Sequence, residues 1–157
     1  YTEPVSIREV EEIYDFREQI ELALLPRTMA RLDDDSLQTL ENALNAHLEA
    51  SREFYLYDRL LKDMDFHLTL ADLSGNRVQH QALRFLFDLL YLKYGGNILF
   101  STSMEKADTA HKALFDAIRD RNLSGAHAVL AQHIGRVKRH VLKGLEQLMS
   151  AKDKTAW

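Results

Sequence analysis

Apolar residues recur at spacings of three and four along most of the chain, which is the period of a helix buried on one side. No stretch shows the apolar–polar alternation of a strand, and six glycines and two prolines in 157 residues favour helix. The pattern predicts helices over residues 7–32, 36–53, 55–73, 77–94, 101–121 and 124–149. We therefore expect an all-α fold, an antiparallel bundle of about six helices with short connections.

Glycine and proline predict where these helices bend or end. Pro26 should kink or reset the first helix, because it lacks an amide donor. Residues 74–76 (Ser-Gly-Asn) end the third helix, with Gly75 in a left-handed conformation and Asn76 capping the next helix. Residues 95–97 (Gly-Gly-Asn) interrupt the fourth helix, and the tail after residue 150 should fray. The fourth helix is apolar on nearly all sides, which places it at the centre or at an interface.

Composition bounds the class of protein. The 157 residues predict one domain with its own core, and no apolar run approaches the length of a membrane span. The absence of cysteine excludes disulfides and thiolate metal sites and fits a cytoplasmic protein without a signal peptide. A net charge of −4 argues against nucleic-acid binding by this segment alone. The start at Tyr1 suggests a fragment of a longer protein.

Asp63 and His67 are the residues that point to chemistry. Their i, i+4 spacing places a carboxylate and an imidazole on one helix face, where both can bind one cation. His111 and His133 occupy inward positions on two other predicted helices. The four side chains can form a site for zinc, nickel, iron or manganese. The alternative is that each inward histidine is a hydrogen-bonded core residue.

The four other histidines are expected outside the site, and Arg17 is a charged residue at an apolar position. His47, His80 and His127 have weaker inward positions and are expected at the surface or just outside the site, and His140 is read as an ordinary residue of the last helix. Arg17 lies on an apolar stripe. It either pairs with Glu21 one turn later or faces a bound anion, such as a carboxylate ligand.

Several short motifs occur in a characteristic order. They are Arg17-x-x-x-Glu21, Asp63-x-x-Phe66-His67, Ser74-Gly75-Asn76, the segment from His111 to Ile118, and His133-Ile134. With these motifs the chain resembles the effector-binding C-terminal domain, called FCD, of the FadR branch of GntR transcription regulators. The resemblance extends along nearly the whole chain.

The resemblance implies a bundle of six to seven helices around a central metal and ligand pocket. Asp63, His67, His111 and His133 match the residues that hold a divalent metal, for which zinc is the first choice, and Arg17 matches an arginine near a small organic acid. It also implies a homodimer that regulates transcription, with DNA bound by an N-terminal winged helix-turn-helix domain that residues 1–157 lack.

The chain differs from the family pattern at two positions, and two other functions are compatible with its sequence. Ala110 stands where the family commonly has a glutamate, and Pro26 lies later than the usual proline. A four-ligand site with open coordination positions could instead belong to a metal-dependent enzyme. The chain could also be a plain helical interaction module. We expect a sensor rather than an enzyme, because no dedicated general base stands out near Asp63 and His67.

Overall fold

The computed structural model describes residues 6–52, 56–99 and 104–155, and these residues form six α-helices without a strand. The helices are α1 (Ile7–Ala30), α2 (Asp34–Ala50), α3 (Leu56–Leu73), α4 (Arg77–Leu99), α5 (Met104–Arg119) and α6 (Leu123–Thr155). The all-α prediction is confirmed. No helix among the described residues is long and apolar enough to cross a membrane.

Side-chain caps explain where three helices begin. The hydroxyl of Ser6 accepts a hydrogen bond from the amide of Glu9, and Asp33 accepts one from the amide of Ser36. At the corner between α3 and α4, Gly75 has a φ of +70°, a conformation that costs glycine little. Asn76 then accepts a hydrogen bond from the amide of Gln79, so the predicted corner is confirmed.

Pro26 lies inside a continuous α1 and does not reset it, and Leu24 and Leu25 before it and Thr28 and Met29 after it are all buried in the core. The structure corrects two predicted helix ends, those of α4 and α6. The glycines at 95–96 do not interrupt α4, which continues to Leu99. The tail does not fray at residue 150, since α6 extends to Thr155. The predicted start of the fifth helix, at residues 101–103, lies outside the described residues.

The core is one cluster of apolar side chains. α1 packs against α3, α4 and α6, while α2 packs against α3 and α5. Leu24, Leu40, Leu83 and Leu130 are at most 1% exposed, and burying each such side chain contributes about 1.5–3 kcal/mol. This packing brings α1, α3, α5 and α6 together around the polar side chains at the centre of the bundle.

Candidate metal centre

Four potential metal ligands meet at the centre of the bundle. Asp63 and His67 come from α3, His111 from α5 and His133 from α6. Each offers one ligand atom, and these atoms all lie within 4.8 Å of one another. The three imidazoles are at most 5% exposed, whereas the Asp63 side chain is 25% exposed. The structure thus brings together all four residues that the sequence suggested.

The distances between the inward atoms suit one cation. His111 Nε2 lies 2.9 Å from Asp63 Oδ1 and 3.1 Å from His67 Nε2, and His67 Nε2 lies 3.9 Å from Asp63 Oδ1. Ligands bound at about 2.1 Å are about 3 Å apart when adjacent and about 4.2 Å when opposite in an octahedral site. The cluster is therefore close to the size of a metal coordination sphere.

The outward ring nitrogens fix which nitrogen faces the centre. His111 Nδ1 lies 2.6 Å from the carbonyl oxygen of Ala107, which can only accept a hydrogen bond. His67 Nδ1 bonds Glu21 Oε1 in the same way. Each ring therefore carries a proton on Nδ1, and its Nε2 faces the centre, where it can hold a metal through its lone pair. Two lone pairs that face each other repel, unless a proton or a cation lies between them.

His133 provides an independent sign that the cluster fits a cation. Its Nε2 is buried and has no hydrogen-bond partner among the described residues, which normally costs about 1–3 kcal/mol. Burial also holds the pKa of His133 well below its ordinary value, so the imidazole is neutral. A buried ring nitrogen without a partner, beside a carboxylate and two further histidines, belongs to a set of residues that a divalent metal satisfies.

Asp63 supplies the negative charge of the cluster. Burial alone would raise the pKa of its carboxyl group, but the hydrogen bond and positive potential from His111, with a further contribution from His67, hold that pKa well below its ordinary range. The carboxylate is thus ionised at neutral pH. Asp63 and His133 are both in the protonation state that a metal requires.

Arg17 and Glu21 form a buried ion pair behind His67. The Arg17 Nε donates to Glu21 Oε2 at 2.5 Å, and the two side chains are 3% and 2% exposed. Burial alone would raise the pKa of Glu21, but Arg17 and His67 lower it to about 2. The Glu21 carboxylate therefore accepts from both neighbours and orients the His67 ring, as partners of metal-bound histidines do.

The sequence allowed Arg17 to pair with Glu21 or to face a bound anion, and the structure shows the ion pair. Arg17 pairs with Glu21, and its guanidinium carbon lies 4.7 Å from the centre of the Phe87 ring. Its Nη2 is nevertheless buried without a hydrogen-bond partner among the described residues. The contact between Glu21 and His67 was not predicted, although Arg17, Glu21 and Leu24 lie on one inward stripe that could have indicated it.

His47 occupies the second of the two positions that the sequence allowed for it, just outside the site and not at the surface. It is 1% exposed, and its ring centre lies 4.1 Å from that of His111. Burial lowers its pKa to about 4, and neither ring nitrogen has a hydrogen-bond partner among the described residues. Asp108 lies 3.4 Å from His47 Nε2 and accepts a hydrogen bond from Ser51. His127, in contrast, is exposed.

We predict that His47→Leu raises the free energy of unfolding of the metal-free chain by about 1–2 kcal/mol. The substitution removes two buried polar atoms without hydrogen bonds and keeps an apolar side chain of similar size. Urea unfolding in the presence of a chelator measures the effect. His127→Leu on the exposed face of α6 is the control, with a change within about 0.5 kcal/mol. A loss of stability in His47→Leu would contradict the prediction.

Tyr14 gives the domain a predicted sensitivity to alkaline pH. It is 1% exposed, and burial raises its pKa from 10.0 to about 12. Between these values the unfolded chain has lost the phenol proton and the folded chain has kept it, so stability falls as pH rises. From pH 9 to pH 11 the loss due to Tyr14 should be about 1.4 kcal/mol. In urea unfolding, the free energy of unfolding of Tyr14→Phe should fall by about 1.4 kcal/mol less than that of the wild type over this pH range. An equal fall in the wild type and the variant would contradict the prediction.

The comparisons with known proteins agree with the fold and the centre. The family model described as the FCD domain matches residues 12–136, which is more than half of the chain. The chain belongs to the FCD family. In this FCD domain all four residues of the candidate metal centre lie inside the matched segment. No curated protein sequence matches the chain.

Three solved structures resemble this FCD domain. The Streptococcus agalactiae GntR protein is 26% identical, with a TM-score of 0.72 over 84% of this chain and 59% of its own. Lar, described as controlling expression of the Listeria monocytogenes agr system and mediating virulence, has 12% identity and a TM-score of 0.78 over 88% of this chain and 66% of its own. E. coli McbR/YncC has 18% identity and a TM-score of 0.70 over 92% of this chain and 71% of its own.

The family match and the similarity to the Streptococcus protein support an effector-binding regulatory role for the domain. The chain spans 59% of the length of the Streptococcus protein. The two structures with lower identity support the fold alone.

Proposed function

We propose that this FCD domain senses a small organic acid through a bound divalent metal, as part of a GntR-type transcription regulator. The observation that carries the proposal is the central set of three imidazoles and one carboxylate, in which His133 Nε2 has no hydrogen-bond partner in the part of the chain that the structure describes. DNA binding by an additional N-terminal domain and assembly into a homodimer belong to the same proposal.

The proposed effector binds between the metal and Arg17. A metal held by Asp63, His67, His111 and His133 would have positions left for a carboxylate oxygen if it is six-coordinate. The buried Nη2 of Arg17 offers a second donor, and Arg17 is close enough to His133 to contribute to lowering its pKa. A planar guanidinium suits a carboxylate better than lysine does.

Sensing requires that the effector prefer one arrangement of the regulator over another. Arg17 and Glu21 connect the centre to α1, and Arg17 contacts Phe87 of α4, so an effector beside Arg17 acts on both helices.

The donor set suits zinc first, and also nickel, iron or manganese. Glu21 makes a poor general base, because its carboxylate is already shared by Arg17 and His67 and its pKa is about 2.

Native mass spectrometry of the purified domain tests the proposal. We expect one metal ion per chain, its loss in His67→Ala combined with His111→Ala, and its retention in His127→Ala on the exposed face of α6. A panel of small carboxylates should include at least one that raises the melting temperature of the metal-bound domain. Recovery of that compound unchanged supports sensing, whereas steady turnover would favour a metal-dependent enzyme. The metal site would be refuted if the protein is purified without metal and its melting temperature is the same with and without chelator.

A further inference from the structure

A second polar cluster lies beside the candidate metal centre, between α2 and α5. It consists of His47 of α2, Ser51 at the end of that helix and Asp108 of α5, and is called here the α2–α5 cluster. The ring centre of His47 lies 4.1 Å from that of His111, so the cluster adjoins the four candidate metal ligands without containing any of them. The Asp108 side chain is 26% exposed, so the α2–α5 cluster extends from the centre towards the surface.

The hydrogen bonds of the α2–α5 cluster are incomplete at His47. The Ser51 hydroxyl donates to Asp108 Oδ1 at 2.7 Å and to the carbonyl oxygen of His47 at 3.0 Å. Asp108 Oδ1 lies 3.4 Å from His47 Nε2, but neither ring nitrogen has a hydrogen-bond partner among the described residues. Buried polar atoms are almost always hydrogen-bonded, because leaving one unsatisfied destabilises the fold. A ring that is 1% exposed and has two such atoms is therefore a candidate binding residue.

Charge and hydrogen-bonding capacity limit what could bind there. Burial lowers the pKa of His47 to about 4, so the ring is neutral and offers one N–H donor and one acceptor. The carboxylates of Asp63 and Asp108 disfavour a second anion at this place. Burial lowers the pKa of Arg59 while the charges of Asp63 and Asp108 act in the opposite direction, so a guanidinium already lies near both carboxylates and disfavours an ammonium group. A neutral group that both donates and accepts fits best, and a hydroxyl is the smallest such group.

We infer that the α2–α5 cluster binds a hydroxyl group of the effector, so that the effector is a hydroxy acid and not a plain carboxylic acid. The hydroxyl accepts from the N–H of His47 and donates to Asp108. One oxygen can lie about 2.9 Å from both partners, because His47 Nε2 and Asp108 Oδ1 are 3.4 Å apart. The acid group then lies towards Arg17, which is 3% exposed, and the hydroxyl towards the more exposed Asp108. The inference rests on the proposed function and adds the chemical class of its effector.

Matched ligands test the inference. The metal-loaded domain, at equal metal content in every variant, is titrated calorimetrically with butanoate and with its three hydroxybutanoate isomers. In the wild type at least one isomer should bind about tenfold or more tightly than butanoate, since a site that hydrogen-bonds a hydroxyl rejects the analogue lacking it. In His47→Leu this ratio should fall to within about twofold, because the leucine side chain has no polar atom. An isomer whose hydroxyl only chelates the metal would keep its advantage in His47→Leu.

Two further variants separate the hydroxyl contact from general effects. Asp108→Ala should also lose the preference, and it should still fold because the Ser51 hydroxyl keeps the carbonyl oxygen of His47 as acceptor. His127→Leu, on the exposed face of α6, should keep the wild-type preference.

Two results would overturn the inference and leave the proposed sensing of a plain acid intact. One is equal affinity of the wild type for butanoate and all its isomers, in which case ordered water is the occupant of the α2–α5 cluster. The other is a preference that survives in either His47→Leu or Asp108→Ala. If no carboxylate of any kind binds the metal-loaded domain, the proposed function fails and the inference fails with it.

Discussion

Glu21→Ala is expected to lower the free energy of unfolding by about 3–5 kcal/mol, the usual cost of breaking a buried ion pair by removing one partner. The loss is large because Arg17 and Glu21 are 3% and 2% exposed, so the remaining guanidinium keeps a buried charge without its counter-ion. The His67 ring also loses the acceptor of its Nδ1 proton. Urea unfolding with chelator present measures the change without a contribution from metal.

The same helix provides a matched control. Arg8 and Glu12 have the same residue types and the same i, i+4 spacing, but their side chains are 87% and 62% exposed. Glu12→Ala should therefore cost less than about 1 kcal/mol. Arg17→Met combined with Glu21→Leu should recover most of the loss, because it removes both buried charges. If Glu21→Ala and Glu12→Ala lowered the free energy of unfolding equally, burial would not determine how much an ion pair of α1 contributes to stability.

Local spacing explains why much of the fold and the centre could be predicted. Asp63 and His67 lie one turn apart on α3, and His111 and His133 lie on apolar stripes, so a helical period alone placed all of them inward. A common interior for three inward faces follows from packing helices into one domain. The corner at Gly75 was predictable for a similar reason, since a left-handed residue there needs glycine.

The remaining features depend on contacts between distant residues. Glu21 bonds His67 across 46 positions, and no periodicity reveals which inward residues of α1 and α3 face each other. His47 lay beside the expected stripe of α2, and its burial results from the packing of α2 against α5. By its local preference alone Pro26 would kink or reset α1, but α1 is continuous through it because the core residues on both sides of it are buried.

His133→Leu is expected to abolish most of the stabilisation by metal without destabilising the metal-free chain. His133 Nε2 has no hydrogen-bond partner among the described residues, so replacing the ring with leucine leaves no donor unpaired and should change metal-free stability by less than about 1 kcal/mol. In the wild type, free metal at about 1,000 times its Kd adds about 4 kcal/mol, or roughly 8–16 °C in Tm. A hundredfold weaker affinity would leave about 1.4 kcal/mol at the same metal concentration.

Thermal melting of both chains, with chelator and then with added zinc, measures the two effects separately. His127→Leu is the control, because it replaces an exposed histidine on the same helix and should keep the full metal shift. If His133 were instead a core residue held by hydrogen bonds, His133→Leu would destabilise the chain equally with and without zinc. If its role is to complete the centre, zinc shifts the melting curve of His133→Leu by about a third of the shift that it causes in the wild type. The comparison thus distinguishes the two interpretations of an inward histidine that the sequence left open.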